Sequence, residues 1–307
     1  MIRELETGDS VELDLLVKQA EIKQTKTKKD FLSMELFDGQ DSIQAIKWDT
    51  SKKPDKNNVV SVNGTVNEWN GNKQLQLKSV KLNKDADPMQ FAPTADVNIE
   101  LLIKDALKLI NNMESTHLAN LCRQVFSDYN DLWKSSPGAI SIHHAHIAGT
   151  LKHSVDTAYI AKDVALHLDC SEDLVVAGAL LHDLGKLWTY ELDGAVIDYT
   201  DEGKLLEHII IGVRKLQEYR DDYNNRLLLL LEHIIVSHHG KQEYGSSVTP
   251  RFLEAWIVHW ADMIDSKANI ITNANKGADK YTNRVWPIEN QELLSQQFIY
   301  EVMNNAK

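Results

Sequence analysis

Leu180-Leu-His-Asp-Leu-Gly-Lys186 is the stretch of this 307-residue chain that decides its fold and its chemistry. The imidazole of His182 offers a nitrogen ligand, and the carboxylate of Asp183 offers two oxygens that can contact two cations. On a helix the two side chains point about 100° apart, which suits a site shared between two metal ions. The stretch therefore predicts a helix end that contributes to a two-metal site. The alternative is a pair held only by hydrogen bonds at a helix end.

Other histidines and aspartates lie far from this pair in the sequence, on segments whose periodicity is also helical. An apolar stripe from Ile99 to Met113 is followed by predicted helices at about residues 147–168, 172–183, 204–220, 224–238 and 250–275. Ser171 is predicted to cap the helix that leads into the His-Asp pair. Ligands this far apart meet only if the helices pack as a bundle and project them inward. The candidate metal ligands are His153, His182, Asp183, His208, His238, His239 and Asp262.

Neighbouring histidines and one aspartate are interpreted differently. His233 lies about 140° from His238 on the same helix, so it is predicted to be structural. His143 and His146 are predicted to be packed or surface side chains. Asp265 is predicted either to support a ligand or to lie on the helix surface.

The first part of the chain alternates apolar and polar residues, as half-buried strands do. Asp38-Gly39 and Asn70-Gly71 stand between such runs, and both dipeptides favour the positive φ angles of tight hairpins. This part is therefore predicted to be a small barrel of about five strands, with an OB-like barrel as the leading interpretation. The alternating runs are Phe31–Phe37, Ser42–Trp48 and Gln74–Val80.

These patterns divide the chain into domains of different class. Residues 1–84 are predicted to form the OB-like barrel, residues 85–97 a linker with two prolines, and residues 98–307 an all-α domain. The predicted fold class is therefore multi-domain α+β.

Composition limits where the protein works and what it binds. The two cysteines stand far apart, which favours a reducing compartment, and no run is apolar enough to cross a membrane. The protein is therefore predicted to be cytoplasmic, with no membrane partner. Residues 1–90 hold 14 Lys and Arg against 15 Asp and Glu, so the acidic excess behind the net charge of −12 lies in the rest of the chain. Duplex DNA is a poor partner for such a chain, although bound cations could offset carboxylates at a phosphate site.

The order of the candidate ligands along the chain resembles that of the HD superfamily of metal-dependent phosphohydrolases, including the extra histidines of its two-metal members. With an OB-like domain in front, nearly the whole chain resembles the YhaM-type 3′-to-5′ exoribonucleases. The resemblance implies hydrolysis of single-stranded RNA to nucleoside 5′-monophosphates, and the preference between RNA and single-stranded DNA stays open. It is carried by Leu151-Lys-His-Ser154, Leu181-His-Asp-Leu-Gly-Lys186, Tyr199-Thr-Asp-Glu-Gly203, Ser237-His-His-Gly240, Glu243-Tyr-Gly-Ser246 and Trp260-Ala-Asp-Met-Ile-Asp-Ser-Lys267.

The same resemblance implies a role for each site residue. A water between two ions would become the attacking hydroxide. Mn²⁺ is the leading expectation for both ions, with Mg²⁺, Co²⁺ and Fe²⁺ as alternatives. Asp183, Lys186 and His144 are the expected catalytic residues, Lys186 by neutralising phosphate charge and His144 by doing the same or by stacking on a base. The implied ligand sets are His153, His182, Asp183 and Asp262 for one ion, and Asp183, His208, His238 and His239 for the other.

Two departures from related patterns narrow the chemistry. Gly240-Lys-Gln-Glu-Tyr-Gly245 stands where the cyclic-dinucleotide branch has a Gly-Tyr-Pro element, which disfavours that branch. Gly149 stands where a third metal would need a carboxylate, so two ions are expected. Two alternatives stay open: a phosphohydrolase of small nucleotides, and a nucleic-acid-binding protein whose metal site is structural.

The barrel is expected to hold the nucleic acid. OB barrels stack bases on aromatic side chains beside a basic groove. Structural alternatives exist, because tryptophan in a small barrel is often core and lysine-rich loops are often only solvated. The apolar helical domain could also support a homo-oligomer. The candidate nucleic-acid contacts are Trp48, Trp69, Lys23, Lys28 and Lys47.

Overall fold

The computed structural model describes residues 1–94, 97–140 and 144–305. The chain divides into two compact units. The first contains Met1–Ala95 and Leu192–Asp198, and the second contains Asp96–Glu191 and Tyr199–Lys307. The predicted combination of an OB-like barrel and a helical domain is confirmed.

The first unit is a closed barrel whose strands follow the order β1-β2-β3-β5-β4. Neighbouring strands are antiparallel except for β3 and β5, which run parallel. Along β4 the residues from Val60 to Val66 alternate between buried and half-buried, so one face fills the barrel core. The strands are β1 (Ser10–Gln24), β2 (Asp30–Phe37), β3 (Ser42–Trp48), β4 (Val59–Trp69) and β5 (Asn72–Leu82).

The two predicted hairpin turns are confirmed. Asn70 and Gly71, between β4 and β5, have φ angles of 51° and 79°, as a two-residue turn with two positive φ angles requires. Gly39, between β2 and β3, has a φ of 94°. These turns fix which face of each strand points into the core.

A short hairpin from the middle of the chain also belongs to the first unit at its tip. It consists of β6 (Tyr190–Asp193) and β7 (Val196–Tyr199). Lys56 Nζ lies 2.9 Å from Asp193 Oδ2 and 2.5 Å from Asp198 Oδ2. The backbone N–H of Ala195 donates to Asn57 Oδ1. The division into units therefore differs from the predicted one, which placed this segment in the helical domain.

A short turn within the predicted linker packs against β1 of the barrel. The last strand ends at Leu82, and a 3₁₀ turn follows at Pro88–Phe91. The Asp87 side chain accepts a hydrogen bond from the N–H of Met89 and so begins this turn. Ala92, directly after the turn, is buried.

The second unit is built around one apolar helix, α5, which is buried from Leu174 to Leu181 and packs against α4, α8 and α9. Helices α2, α3, α6 and α10 were not among the predicted ones. None of the helices in the described part of the chain has the length and apolarity that crossing a membrane requires. The helices are α1 (Ile99–Asn111), α2 (Thr116–Asp128), α3 (Asn130–Ser135), α4 (Gly149–Ala165), α5 (Glu172–Leu181), α6 (Lys186–Thr189), α7 (Asp201–Gln217), α8 (Asn225–Ser237), α9 (Leu253–Asn275) and α10 (Gln296–Asn305).

The start of α5 offers a test of how this helix is stabilised. Ser171 is its N-cap, as predicted, and its hydroxyl accepts a hydrogen bond from the N–H of Leu174. We expect Ser171→Ala to lower the free energy of unfolding by about 1 kcal/mol, because the capping bond is lost. Ser171→Asp should keep the parent stability in the same denaturant titration. Equal stability of the alanine variant would show that the cap is dispensable.

Candidate metal centre

His182 and Asp183 follow the last residue of α5 and are both almost completely buried. Nδ1 of His182 lies 2.7 Å from the backbone oxygen of Ala179. A carbonyl oxygen only accepts hydrogen bonds, so Nδ1 carries the proton and Nε2 keeps its lone pair. The end of α5 therefore presents one imidazole nitrogen and one carboxylate to the same interior space.

Residues from three helical segments meet on one side of Asp183. His153, on α4, places Nε2 3.1 Å from Nε2 of His182 and 3.4 Å from Oδ2 of Asp183. Asp262, on α9, has its Oδ1 3.2 Å from Nε2 of His153. These four side chains bring two imidazole nitrogens and two carboxylates together, which is a donor set suited to a divalent cation.

The other side of Asp183 faces three more histidines. Nε2 of His208 and Nε2 of His238 lie 3.7 and 3.6 Å from Oδ1 of Asp183. Together with His239 they form a group whose ligand atoms are all within 4.8 Å of one another. Asp183 therefore directs one carboxylate oxygen to each half of the cluster.

Buried polar atoms in the second half lack hydrogen-bond partners within the described part of the chain. They are Oδ1 of Asp183, Nε2 of His208, Nε2 of His238 and Nδ1 of His239. Leaving such atoms buried and unpaired costs free energy, about 1–3 kcal/mol for each. A divalent cation bound among them would remove this cost, so the residues fit the metal ion that the sequence predicts.

The electrostatics around His208 and His238 favour metal ligation, whereas neighbouring carboxylates outweigh burial and raise the pKa of His153 to about 10. Burial lowers the pKa of His208 to about 3 and lowers that of His238, so both imidazoles are neutral at pH 7. Burial opposes the charge of Asp183, but the Lys186 ammonium group holds the pKa of its carboxyl well below the usual range. Neutral imidazoles and ionised carboxylates are the forms that bind metal ions.

A break in α7 brings His208 into the cluster. Glu207 has φ 61° and ψ 158°, so the helix is interrupted immediately before His208. Gly185, just after the His-Asp pair, packs against this point: a Cβ there would lie 1.8 Å from the backbone oxygen of His208. The absence of a side chain at Gly185 thus allows α7 to approach Asp183 closely.

The three expected catalytic residues lie in different surroundings. Asp183 is central to the cluster. Nζ of Lys186 lies 2.7 Å from Oδ2 of Asp183 and is mostly buried. His144 is buried behind His153, where its Nε2 lies 2.8 Å from Oδ2 of Asp265. This position, with its ring turned to a carboxylate, does not favour the predicted phosphate or base contact of His144.

Other predicted residues fall outside the cluster. Nε2 of His233 accepts a hydrogen bond from the N–H of Arg251, in keeping with a structural role. His146 contacts the backbone oxygen of Ile147 through Nδ1, and His143 lies outside the described residues. The contacts of Asp265 with His144 and His153 were not predicted from the sequence. One signal was present: Asp265 lies three residues after Asp262, which places both side chains on one face of α9.

The barrel residues predicted to bind nucleic acid lie on or near its outer surface. Trp48 is 39% exposed and Trp69 is 66% exposed, so neither is a core residue. The register pairs Phe31 with both Trp48 and Lys23, which gives one row across three strands. The rings of Phe31 and Trp48 lie 5.0 Å apart. This row is an aromatic patch with a cationic neighbour.

Lys28 and Lys47 complete the predicted set near this row. Lys28 lies in the turn between β1 and β2 and is exposed, with a φ of 59°. Lys47 is half-buried on β3, and its Nζ lies 3.4 Å from the backbone oxygen of Trp48.

Comparison with known proteins supplies the family. An HD domain is matched at residues 150–267. The 3′-5′ exoribonuclease YhaM of Listeria monocytogenes serovar 1/2a is 30% identical over 308 residues, which cover 96% of this chain and 98% of the relative. The YhaM protein of L. monocytogenes serotype 4b, strain CLIP80459, is similar to the same extent.

Solved structures of replication protein A from Methanococcus maripaludis are also similar to part of the chain. A crystal structure of one domain is 24% identical and covers 26% of this chain and 90% of that domain, with a TM-score of 0.24. The solution structure of its second OB-fold domain is 18% identical and covers 28% of this chain and 95% of that domain, with a TM-score of 0.25. From its similarity to the Listeria proteins along nearly its full length, the chain belongs to the family of the YhaM 3′-5′ exoribonucleases and is a hydrolase with an HD domain.

Proposed function

We propose that the protein is a metal-dependent 3′-to-5′ exoribonuclease that hydrolyses single-stranded RNA, and also single-stranded DNA, to nucleoside 5′-monophosphates. The observation that carries the proposal is the division of the Asp183 carboxylate, with Oδ2 near His153 and Oδ1 near His208 and His238. A carboxylate that faces two groups of imidazoles is the arrangement that two adjacent metal ions require. An RNA substrate also fits the cytoplasmic location that the sequence predicts.

The ligands divide naturally between two ions. Nδ1 of His182 donates a hydrogen bond to the backbone oxygen of Ala179, and Nδ1 of His238 donates to that of Ile235. These bonds fix both rings so that Nε2 points into the cluster. A pair of divalent ions would supply a water nucleophile of lowered pKa and would neutralise the charge on the phosphodiester oxygens. The sets we propose are His153, His182, Asp183 and Asp262 for one ion, and Asp183, His208, His238 and His239 for the other.

Lys186 contributes positive charge beside this cluster. Its Nζ lies 2.7 Å from Oδ2 of Asp183. The ammonium group fixes that oxygen and offsets part of the negative charge brought by a phosphodiester. We therefore propose that Lys186 orients Asp183 and stabilises the charge that develops on the phosphate.

The outer surface of the barrel suits an extended single strand. Trp69 pairs with Asn72 at the start of β5, whereas Trp48 ends β3, the strand parallel to β5. Along the strand direction the two residues are therefore offset by about six positions, or about 20 Å. That distance matches several stacked or extended nucleotides, and we propose that Lys23, Lys28 and Lys47 contact the phosphates between or beside them.

A time course with 5′-labelled single-stranded RNA tests this function. The reaction is run with Mn²⁺, with Mg²⁺ and with EDTA, and products are resolved on a sequencing gel and identified by mass spectrometry. We expect a ladder that shortens from the 3′ end with Mn²⁺ and no shortening with EDTA. Intact RNA together with hydrolysis of free nucleotides would instead identify a small-nucleotide phosphohydrolase. RNA binding without turnover would identify a binding protein with a structural metal site.

The proposed role of the barrel predicts a binding defect without a chemical defect. We expect Trp48→Ala to raise KM for single-stranded RNA about tenfold, because one stacked base is worth about 1–3 kcal/mol. Its kcat should be unchanged, since the residue is exposed and lies in the other unit from the His-Asp cluster. Trp48→Phe should keep most of the affinity. An unchanged KM in the alanine variant would exclude Trp48 from the RNA path.

A further inference from the structure

A carboxylate outside the proposed ligand sets lies directly behind His153. Oδ2 of Asp265 is 2.6 Å from Nδ1 of His153, the ring nitrogen opposite the one that faces Asp183 and Asp262. Asp265 is buried and lies one helical turn after Asp262 on α9. Its oxygen therefore accepts the Nδ1 proton, so Nε2 is the nitrogen of His153 that a metal ion would bind.

The same oxygen is held from a second direction by His144. Nε2 of His144 lies 2.8 Å from Oδ2 of Asp265 and donates to it. His144 is itself fixed by its backbone, since its N–H donates to Asn269 Oδ1 and its carbonyl accepts from the N–H of Gly138. Two imidazole donors on one oxygen restrict rotation of the Asp265 carboxylate.

Two other proposed ligands are oriented by backbone carbonyl groups and not by a carboxylate. His182 and His238 use backbone carbonyls of their own helices, so their orientation follows from the helix alone. His153 depends on a charged side chain from another helix. An anionic acceptor raises the basicity of the imidazole more than a neutral carbonyl does, and therefore strengthens its bond to a cation.

We propose that Asp265, held in place by His144, is a positioning residue that sets the metal affinity of the half-site containing His153. The pair acts on that half-site and leaves the half formed by His208, His238 and His239 unaffected. His144 thus acts through Asp265 and His153 and does not touch the substrate. The inference rests on the proposed function, because it assumes that His153 holds a metal ion.

Metal titration of the full-length protein tests the proposal independently of turnover. Protein freed of metal by chelation is titrated with Mn²⁺ in a calorimeter. We expect the parent to bind two ions per chain. Asp265→Asn should weaken one of the two sites about 10- to 100-fold, the usual cost of losing such a partner, and leave the other unchanged. His144→Gln should weaken the same site by a smaller factor.

Asp156→Asn is the matched control. Asp156 also lies on α4, near His153, but its carboxylate pairs with Lys152. The Asp156→Asn variant therefore loses one negative charge near the site but no hydrogen bond to a metal ligand. Both Mn²⁺ affinities should stay at the parent values. Activity of Asp265→Asn should recover at high Mn²⁺ concentration, with kcat close to that of the parent.

Several outcomes would overturn the proposal. Two unchanged sites in both Asp265→Asn and His144→Gln would show that the pair does not position His153. Equal weakening of both sites would show a general structural effect, and circular dichroism would identify a variant that fails to fold. If only Asp265→Asn fails to fold, His144→Gln decides the question. A parent protein that shortens RNA without binding Mn²⁺ would refute both the metal centre and this role of Asp265. If the parent binds Mn²⁺ but does not cut RNA, weaker Mn²⁺ binding in the two variants would uphold the role of Asp265 and refute the proposed function.

Discussion

Asp183→Asn is expected to reduce kcat/KM on single-stranded RNA by about 10³-fold or more, because the substitution removes the carboxylate whose two oxygens face the two halves of the proposed two-metal cluster. Its two oxygens lie near His153 on one side and near His208 and His238 on the other. An uncharged amide would bind at most weakly to either ion. Losing several kcal/mol of charge stabilisation corresponds to a rate loss of this order.

The fold should survive this change. Asparagine has the size of aspartate, and its side-chain oxygen can still accept a hydrogen bond from Nζ of Lys186, the ion-pair partner of Asp183. Circular dichroism and thermal unfolding check the fold, and Mn²⁺ titration should show fewer than two ions per chain. Asp163→Asn, an exposed carboxylate on α4, should behave as the parent. Turnover near the parent level in Asp183→Asn would refute the bridging role of Asp183.

The cluster of His and Asp side chains was largely predictable because its chemistry depends on residue type and order. Imidazoles and carboxylates at wide intervals on amphipathic segments have few structural uses in a helical bundle, so a shared interior site was the natural interpretation. The strand alternation and the Asn70-Gly71 turn likewise followed from local rules. Trp48 and Trp69 required the structure, since the sequence alone left them as either core or surface residues.

Features that depend on tertiary contacts were not predictable from these patterns. Glu207 has a backbone conformation that is unfavourable for a residue with a side chain, so nothing in the sequence indicates the break in α7. The family resemblance implied a substrate contact for His144, yet α9 places Asp265 against its ring. The hairpin β6–β7 did leave a signal, since Asp193-Gly194 stands between two short apolar runs as Asp38-Gly39 does.

Gly185→Ala is expected to lower both stability and activity, because the space for a methyl group at this position is taken by the backbone of α7. A Cβ would lie 1.8 Å from the carbonyl oxygen of His208 and 2.6 Å from the amide nitrogen of Gly212. Backbone atoms cannot move aside as a side chain can, so α7 must shift as a whole. We expect the free energy of unfolding to fall by about 3 kcal/mol, the upper range for overpacking.

The same shift should act on the metal centre. His208 moves with α7, and its Nε2 is only 3.7 Å from Oδ1 of Asp183. We therefore expect the variant to lose the ion that we propose for His208, His238 and His239, and with it most of the RNA hydrolysis. Mn²⁺ titration and denaturant unfolding of the same preparation measure the two effects.

Gly212→Ala separates the close contact from a general effect of added volume. It lies on the facing surface of α7, but its Cβ would come no closer than 3.2 Å to the backbone of Gly185. The gain in helix propensity from alanine, about 1 kcal/mol, should roughly offset this tighter contact, so stability should stay within about 1 kcal/mol of the parent. If Gly185→Ala retains parent stability and two bound ions, the position of His208 cannot depend on the close approach at Gly185.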